Sequence, residues 1–314
     1  MESSDNSLTM NPVIEIEKMS CRFGNVEAVR NLTLEVPSGS VYAFLGTNGA
    51  GKTTTIKTLL NLLQPTAGTA RVFGVDSTRL GPPELARIGY VSENQQLPEK
   101  LTVQQMIDYC RALYANWDDA LCRRLVERFA LPMNRPIRGF SRGMKTKAAL
   151  LVSLAYRPEL LLMDEPFAGL DPLVRDDLVQ GMLELSEQEN WTVFISSHDI
   201  DEVERLADHV GMIDNGVLTL SESSDSLRTR FRRVDAIFDE GPPPTPDLFK
   251  DALSSEISGL SVRWIENHYT DDEALGARIQ SHLPNCKAWS SSPLALRDAF
   301  VALTRAQRAT PPAL

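Results

Sequence analysis

Lys52 and Thr53 close a glycine-rich run, Gly46-Thr47-Asn48-Gly49-Ala50-Gly51-Lys52-Thr53, that fits G-x-x-x-x-G-K-[ST] at every position. Glycines let successive backbone N–H groups turn inward around phosphate oxygens. A helix opening after the run adds its positive N-terminus. Lys52 would reach the β- and γ-phosphates, and the Thr53 hydroxyl would coordinate Mg2+. Thr54 carries the candidate nucleotide-binding run into the helix. A glycine-rich turn can arise by chance, so its context decides. Here it follows the apolar strand Val41-Tyr42-Ala43-Phe44-Leu45. It leads into Thr54 to Leu63, with Ile56, Leu59, Leu60 and Leu63 at helical spacing and Pro65 marking the end.

A second cluster lies at Leu160-Leu161-Leu162-Met163-Asp164-Glu165-Pro166, an apolar strand that ends in two acids. Asp164 at the strand end suits the water shell of a phosphate-bound Mg2+. Glu165 suits the orientation or deprotonation of an attacking water. Alone, the pair would be two solvated acids; beside a phosphate loop it forms the other half of a hydrolytic site. His198 sits in Ser196-Ser197-His198-Asp199, directly after the apolar run Thr192–Ile195. Strand ends on the loop side of a parallel sheet face the ligand crevice, which favours a role in the site over a merely exposed histidine. Upstream, Phe140-Ser141-Arg142-Gly143-Met144 places Ser141 at a helix N-cap. That structural role and a ligand role are compatible.

The elements that must position these residues follow an α/β rhythm. Buried strands are expected at Val41–Leu45, Ile88–Val91, Leu160–Met163 and Thr192–Ile195, alternating with helices around a mainly parallel sheet. Shorter runs at Val13–Glu17, Leu32–Val36 and Ala70–Phe73 predict an antiparallel β layer. Between about Leu101 and Tyr156 the pattern turns helical. Thr102 and Gln105 form a capping-box start, and further helices are expected over Asp118–Leu131 and Arg142–Tyr156. After ~221 the chain changes character. Ser221 to Ser226 is polar, and Gly241-Pro242-Pro243-Pro244-Thr245-Pro246 predicts a stiff linker or loop. Strands at Val234–Phe238 and Leu260–Ile265 and helices at Asp272–Ser281 and Leu294–Thr304 predict a small α+β extension. The expected fold is thus a P-loop NTPase core with an antiparallel β layer and a helical insertion. The expected domains are 1–221, with a helical subdomain at about 93–158, and 222–314.

Composition narrows the function. The chain has 314 residues, 42% hydrophobic and 24% charged, as in an ordinary globular protein. A net charge of −10 argues against non-specific nucleic-acid binding, which needs a basic footprint. No segment approaches the roughly 18 apolar residues that span a bilayer, and Met1 to Asn6 lacks the features of a signal peptide. Cys21, Cys110, Cys122 and Cys286 form no CxxC pair, which suggests reduced thiols in the cytoplasm.

Taken in order, these motifs resemble the nucleotide-binding subunit of an ATP-binding cassette (ABC) transporter over about residues 13–221. By that resemblance Lys52 and Thr53 match Walker A, Asp164 and Glu165 match Walker B and the catalytic glutamate, and Ala168-Gly169-Leu170-Asp171 matches the D-loop. His198 matches the histidine that senses the γ-phosphate, and Phe23 falls where an aromatic ring stacks on adenine. Two positions depart from the family pattern. The signature Leu-Ser-Gly-Gly-Gln appears as Phe140-Ser141-Arg142-Gly143-Met144, keeping the phosphate-contacting Ser141 and Gly143. The Q-loop glutamine position is Glu93, with Gln95 and Gln96 close behind; either Glu93 coordinates Mg2+ or Gln95 moves in to do so.

The resemblance implies ATP and Mg2+ as ligands and a second ABC subunit, identical or not, that offers its signature in trans. It also implies a separate transmembrane permease received near residues 97–131, no nucleic acid, and a peripheral place on the cytoplasmic face of the inner membrane. The signature variant and the stretch Leu296–Thr304 resemble bacterial exporter subunits. The competing expectation is a non-transport ABC ATPase acting on ribosomes or DNA. Tandem cassettes, a coiled-coil insertion or a basic surface would mark it, and this sequence has none of them.

Overall fold

The computed structural model describes residues 12–94, 96–189, 191–240 and 252–309. The chain divides into two compact units, Met1–Ser221 and Glu222–Leu314.

The first unit opens with two long antiparallel strands, β1 (Pro12–Phe23) and β2 (Val26–Pro37). Both run further than the apolar alternation predicts, for one reason. In β1, Ile14 and Ile16 point inward, then Lys18 adopts a left-handed φ of 47° and the register shifts, so that Met19 and Cys21 are buried instead. In β2, Asn31 at φ 47° separates Val29 from Leu32, Leu34 and Val36 in the same way. Each bulge inserts one residue and breaks the period of two without ending the strand. β3 (Val41–Leu45) is buried throughout and leads through the glycine run into α1 (Lys52–Leu59). This helix starts two residues before the expected Thr54 and stops short of Leu63, because Asn61 turns left-handed at φ 57°. β4 (Ala67–Val72) and β5 (Val75–Asp76) complete an antiparallel sheet of order β2-β1-β4-β5.

After a short α2 (Pro82–Leu85) and β6 (Ile88–Val91) come three helices: α3 (Val103–Leu113), α4 (Asp119–Arg128) and α5 (Arg142–Leu154). Each carries its own N-cap. Thr102 Oγ1 accepts the Gln105 N–H at 3.2 Å, and Gln105 Oε1 accepts the Thr102 N–H at 3.0 Å. Asp118 and Ser141 cap the other two. The unit continues through β7 (Leu160–Asp164), α6 (Pro172–Glu189), β8 (Thr192–Ser197), β9 (His209–Asp214) and β10 (Val217–Ser223). The resulting six-stranded sheet has the order β10-β9-β3-β8-β7-β6, with β9, β3, β8, β7 and β6 parallel to one another.

In the second unit, α7 (Ser224–Arg230) is followed by β11 (Arg232–Phe238), β12 (Ser254–Ser258), β13 (Ser261–Glu266), α8 (Asp272–His282), β14 (Cys286–Pro293) and α9 (Leu296–Ala309). The sheet is antiparallel, ordered β12-β13-β11-β14. Val234, Phe238, Val262 and Trp264 pack against Leu275 and Ile279 of α8. The polar stretch from Ser221 to Ser226 spans the junction of two elements. It ends β10 and starts α7, where Ser223 Oγ accepts the Ser226 N–H at 3.1 Å. The expected linker Gly241 to Pro246 lies outside the described residues, as do Met1 to Asn6 and Gln95.

Leu162 on β7 is fully buried in the core shared by the two sheets of the first unit. Leu162→Ala should destabilise the protein by about 2–5 kcal/mol. Urea unfolding checks this as a lower midpoint with an unchanged slope.

Candidate functional site

Three neighbouring parallel strands bring the chemistry together. β3 pairs with β8 so that Leu45 lies opposite Ser197, and β8 pairs with β7 so that Asp164 lies opposite Ser196. Parallel strands end on the same edge. The glycine run after β3, the acids at the end of β7 and the histidine after β8 therefore meet there.

The loop is tied to that edge by its backbone. The Gly46 N–H donates to the Ser197 carbonyl at 3.1 Å, and the Ala50 N–H to the Thr47 carbonyl at 3.1 Å. Gly51 has φ 112°, and a Cβ there would lie 2.6 Å from the Ala28 carbonyl, so only glycine fits. Lys52, 5% exposed, donates from Nζ to the Gly46 carbonyl at 2.6 Å and the Thr47 carbonyl at 3.2 Å. Its third contact is Glu165 Oε1 at 2.9 Å. Thr53, Thr54, Lys52, Glu93 and Glu165 line one cleft over this loop.

Glu165 is 6% exposed and sits at φ 50°, a left-handed conformation for a residue with a Cβ. Such a backbone costs about 1–3 kcal/mol and persists where the surroundings over-determine it. The surroundings here are two acceptors for its backbone N–H, one ion pair and one side-chain hydrogen bond. The Glu165 N–H reaches both the Ser196 hydroxyl at 3.0 Å and the Ser196 carbonyl at 3.2 Å. Its carboxylate receives Lys52 on one oxygen and His198 Nδ1 on the other at 2.7 Å. The hydrogen bond to Glu165 raises the His198 pKa above its ordinary value. Asp164, 3% exposed, accepts the Ser196 hydroxyl at 2.8 Å.

Ser196, Ser197 and Glu202 belong to this neighbourhood and were not singled out from sequence. Ser197 Oγ donates to Glu202 Oε2 at 2.6 Å, and burial pushes the Glu202 carboxyl up. Two serines closing an otherwise apolar strand were the available signal; Glu202, one acid among several in a polar stretch, gave none.

Of the other candidates, Glu93 lines the loop cleft, whereas Phe23, Ser141 to Met144 and Asp171 do not. Phe23 ends β1 and is 51% exposed, so it is no core residue. Ser141 and Arg142 are exposed, Gly143 is buried and Met144 is half-buried at the start of α5. A Cβ on Gly143 would lie 2.5 Å from Val174 Cγ1 of α6, so close helix packing alone demands this glycine. Asp171 is exposed, and its Oδ1 accepts the Leu173 N–H at 2.9 Å before α6. Glu93 lies 3.9 Å from Arg142 and lines both the loop cleft and a second cleft with Phe140 and Arg142. Among the described residues no group of three or more His, Cys, Asp or Glu side chains could hold a metal alone.

A histidine whose pKa rises on folding stabilises the fold fully below its unfolded value, and that contribution is lost as pH rises through the folded value. The Glu165–His198 contact should therefore be strongest in acid and weaken above pH 6.5, the ordinary histidine value. In an NMR titration without nucleotide, His198 should titrate above 6.5 and fall back toward it in Glu165→Gln. A wild-type midpoint at or below 6.5 contradicts the contact.

Comparison with known proteins now adds a family. The ABC transporter family profile matches residues 29–168. The daunorubicin/doxorubicin resistance ATP-binding protein DrrA of Streptomyces peucetius is 31% identical over 300 residues, covering 90% of this chain and 89% of that protein. The bacitracin transport ATP-binding protein BcrA of Bacillus licheniformis is 34% identical, covering 71% of this chain and 74% of its own length. A solved structure of an ATP-binding subunit of an ABC transporter superposes with a TM-score of 0.61 at 28% identity, over 69% of this chain and 92% of that one. The DrrA match spans both units and nearly the full length of each protein, and it carries the conclusion: this chain belongs to the ABC transporter family, as an ATP-binding and ATP-hydrolysing subunit.

Proposed function

We propose that this chain energises export through a separate membrane protein by closing on ATP as one of a pair of cassettes. One observation carries the catalytic reading: Glu165, buried at the sheet edge, faces both Lys52 of the phosphate loop and His198. On this reading, Lys52 exchanges its contact with Glu165 for the γ-phosphate. The freed carboxylate accepts a proton from water as the water oxygen bonds to the γ-phosphorus. The bond from phosphorus to the bridging oxygen breaks, leaving ADP and phosphate. His198 holds the Glu165 carboxylate from its other side and, on this reading, contacts the γ-phosphate. Phe23, exposed at the end of β1, stacks on the adenine.

The donors present suit Mg2+ brought in with the nucleotide. Thr53 offers a hydroxyl, Asp164 a buried carboxylate and Glu93 a third oxygen ligand from across the cleft, while no protein cage of acids exists among the described residues. When bound, Mg2+ would neutralise charge building on the β- and γ-phosphates.

Ser141 to Met144 lie outside the cleft over the chain's own phosphate loop. That separation supports a signature used in trans on a second cassette's nucleotide, beside Asp171. Gly143 then has two duties, packing against Val174 and close approach to phosphate. Among the described residues no helix is long and apolar enough to cross a membrane. The permease is read as another polypeptide, with the cassette peripheral on the cytoplasmic face of the inner membrane. Relatives named for drug resistance and bacitracin transport support export over action on ribosomes or DNA. Residues 222–314 are read as an accessory domain of exporter type, which the length of the DrrA match supports.

Glu165→Gln should keep ATP binding, lose about 10²–10⁴-fold in turnover and accumulate an ATP-bound pair on size-exclusion chromatography. Hydrolysis at the wild-type rate would remove Glu165 from the role of base.

A further inference from the structure

The two acids proposed to do the chemistry share one buried hydroxyl. Ser196 has no exposed surface and is the fifth of six residues in β8, directly opposite Asp164. Its Oγ donates to Asp164 Oδ1 at 2.8 Å and accepts the Glu165 N–H at 3.0 Å. A hydroxyl has one proton and two lone pairs. Here the proton is directed to one acid and a lone pair to the backbone of the next. The flanking residues Phe194 and Ile195 are apolar, as a buried strand prefers. A branched apolar residue at 196 would supply neither contact.

The two contacts act on different coordinates. The first fixes the rotation of the Asp164 carboxylate. It makes no other side-chain hydrogen bond among the described residues, so Oδ2 is left for an incoming ligand. The second, with the Ser196 carbonyl at 3.2 Å, holds the Glu165 backbone at φ 50°. That left-handed turn aims the carboxylate at Lys52 and His198. We propose that Ser196 is a positioning residue: one hydroxyl orients the metal-facing acid and pins the strained turn that presents the base. The inference rests on the roles proposed above for Asp164 and Glu165.

The test uses the full chain with Ser196→Ala, Ser196→Cys and Ser196→Thr. Alanine adds no bulk, cysteine replaces the hydroxyl by a slightly larger and weakly hydrogen-bonding thiol, and threonine keeps the hydroxyl with one added methyl. Four quantities are read: melting temperature, affinity for ATP without Mg2+, kcat, and the Mg2+ concentration for half-maximal rate. Loss of a group that orients a metal ligand typically costs about 10–100-fold in affinity or activity. Ser196→Ala and Ser196→Cys should show that loss in kcat and need several-fold more Mg2+, with metal-free ATP affinity within about twofold of wild type. Ser196→Thr should recover most of kcat. The proposal is overturned if Ser196→Ala matches wild type in kcat and Mg2+ dependence. It is equally overturned if kcat and metal-free affinity fall together with the melting temperature, which marks packing alone. Glu165→Gln in parallel separates the two layers. A normal rate in Glu165→Gln removes the underlying reading, whereas a dead Glu165→Gln beside a normal Ser196→Ala removes only the role of Ser196.

Discussion

Taking a carboxylate out of water is expensive unless cations and hydrogen-bond donors meet it. Glu165 is almost completely buried, and two partners meet it: Lys52 at 2.9 Å and His198 at 2.7 Å. Lys52 is itself buried, and its other contacts are loop carbonyls. The residue proposed to hold phosphate and the residue proposed to activate water are therefore bound to each other. A γ-phosphate reaching Lys52 competes directly with Glu165. On the proposed reading, arrival of substrate and release of the base are the same event.

That contact depends on strand register. Leu45 opposite Ser197 and Asp164 opposite Ser196 set the ends of β3, β8 and β7 level. A shift of one residue would turn each functional side chain to the other face of the sheet. Buried apolar side chains hold this register, with the rings of Phe44 and Phe194 on neighbouring strands tilted against each other at 5.3 Å. Local backbone then does what register cannot. Gly51 lets the loop pass close to Ala28, and the left-handed turn at Glu165 brings its carboxylate to Lys52. The strain at Glu165 is offset by buried hydrogen bonds from a neighbouring strand, which makes β8 part of the site as well as of the scaffold.

The strands that end at the site were legible in sequence because they are continuous apolar runs, with Val41–Leu45 and Ile88–Val91 appearing at the expected bounds. The glycine run, the acid pair and His198 were legible because their residue types are unusual at strand ends. The outer sheet was harder. Lys18 and Asn31 interrupt the alternation in β1 and β2, and a pattern read with period two stops at a bulge. Among the described side chains of α6 the buried hydrophobics are Leu178, Val179 and Met182, set among charges, so the apolar stripe there is thin. Ser196 was quoted beside His198 without a role, since a serine shows no chemistry until its partners are known. The polar segment at 221–226 marked the change of character without giving its structure, because serine favours both turns and helix caps.

The account turns on energetic coupling between Lys52 and Glu165 before nucleotide arrives. A double-mutant cycle of Lys52→Met, Glu165→Gln and the pair, followed by urea unfolding of the nucleotide-free chain, measures it directly. The account predicts that the double variant is less destabilised than the sum of the singles, by about 1–3 kcal/mol. Effects that add to within about 0.5 kcal/mol would mean that the two side chains do not hold each other, and would contradict it.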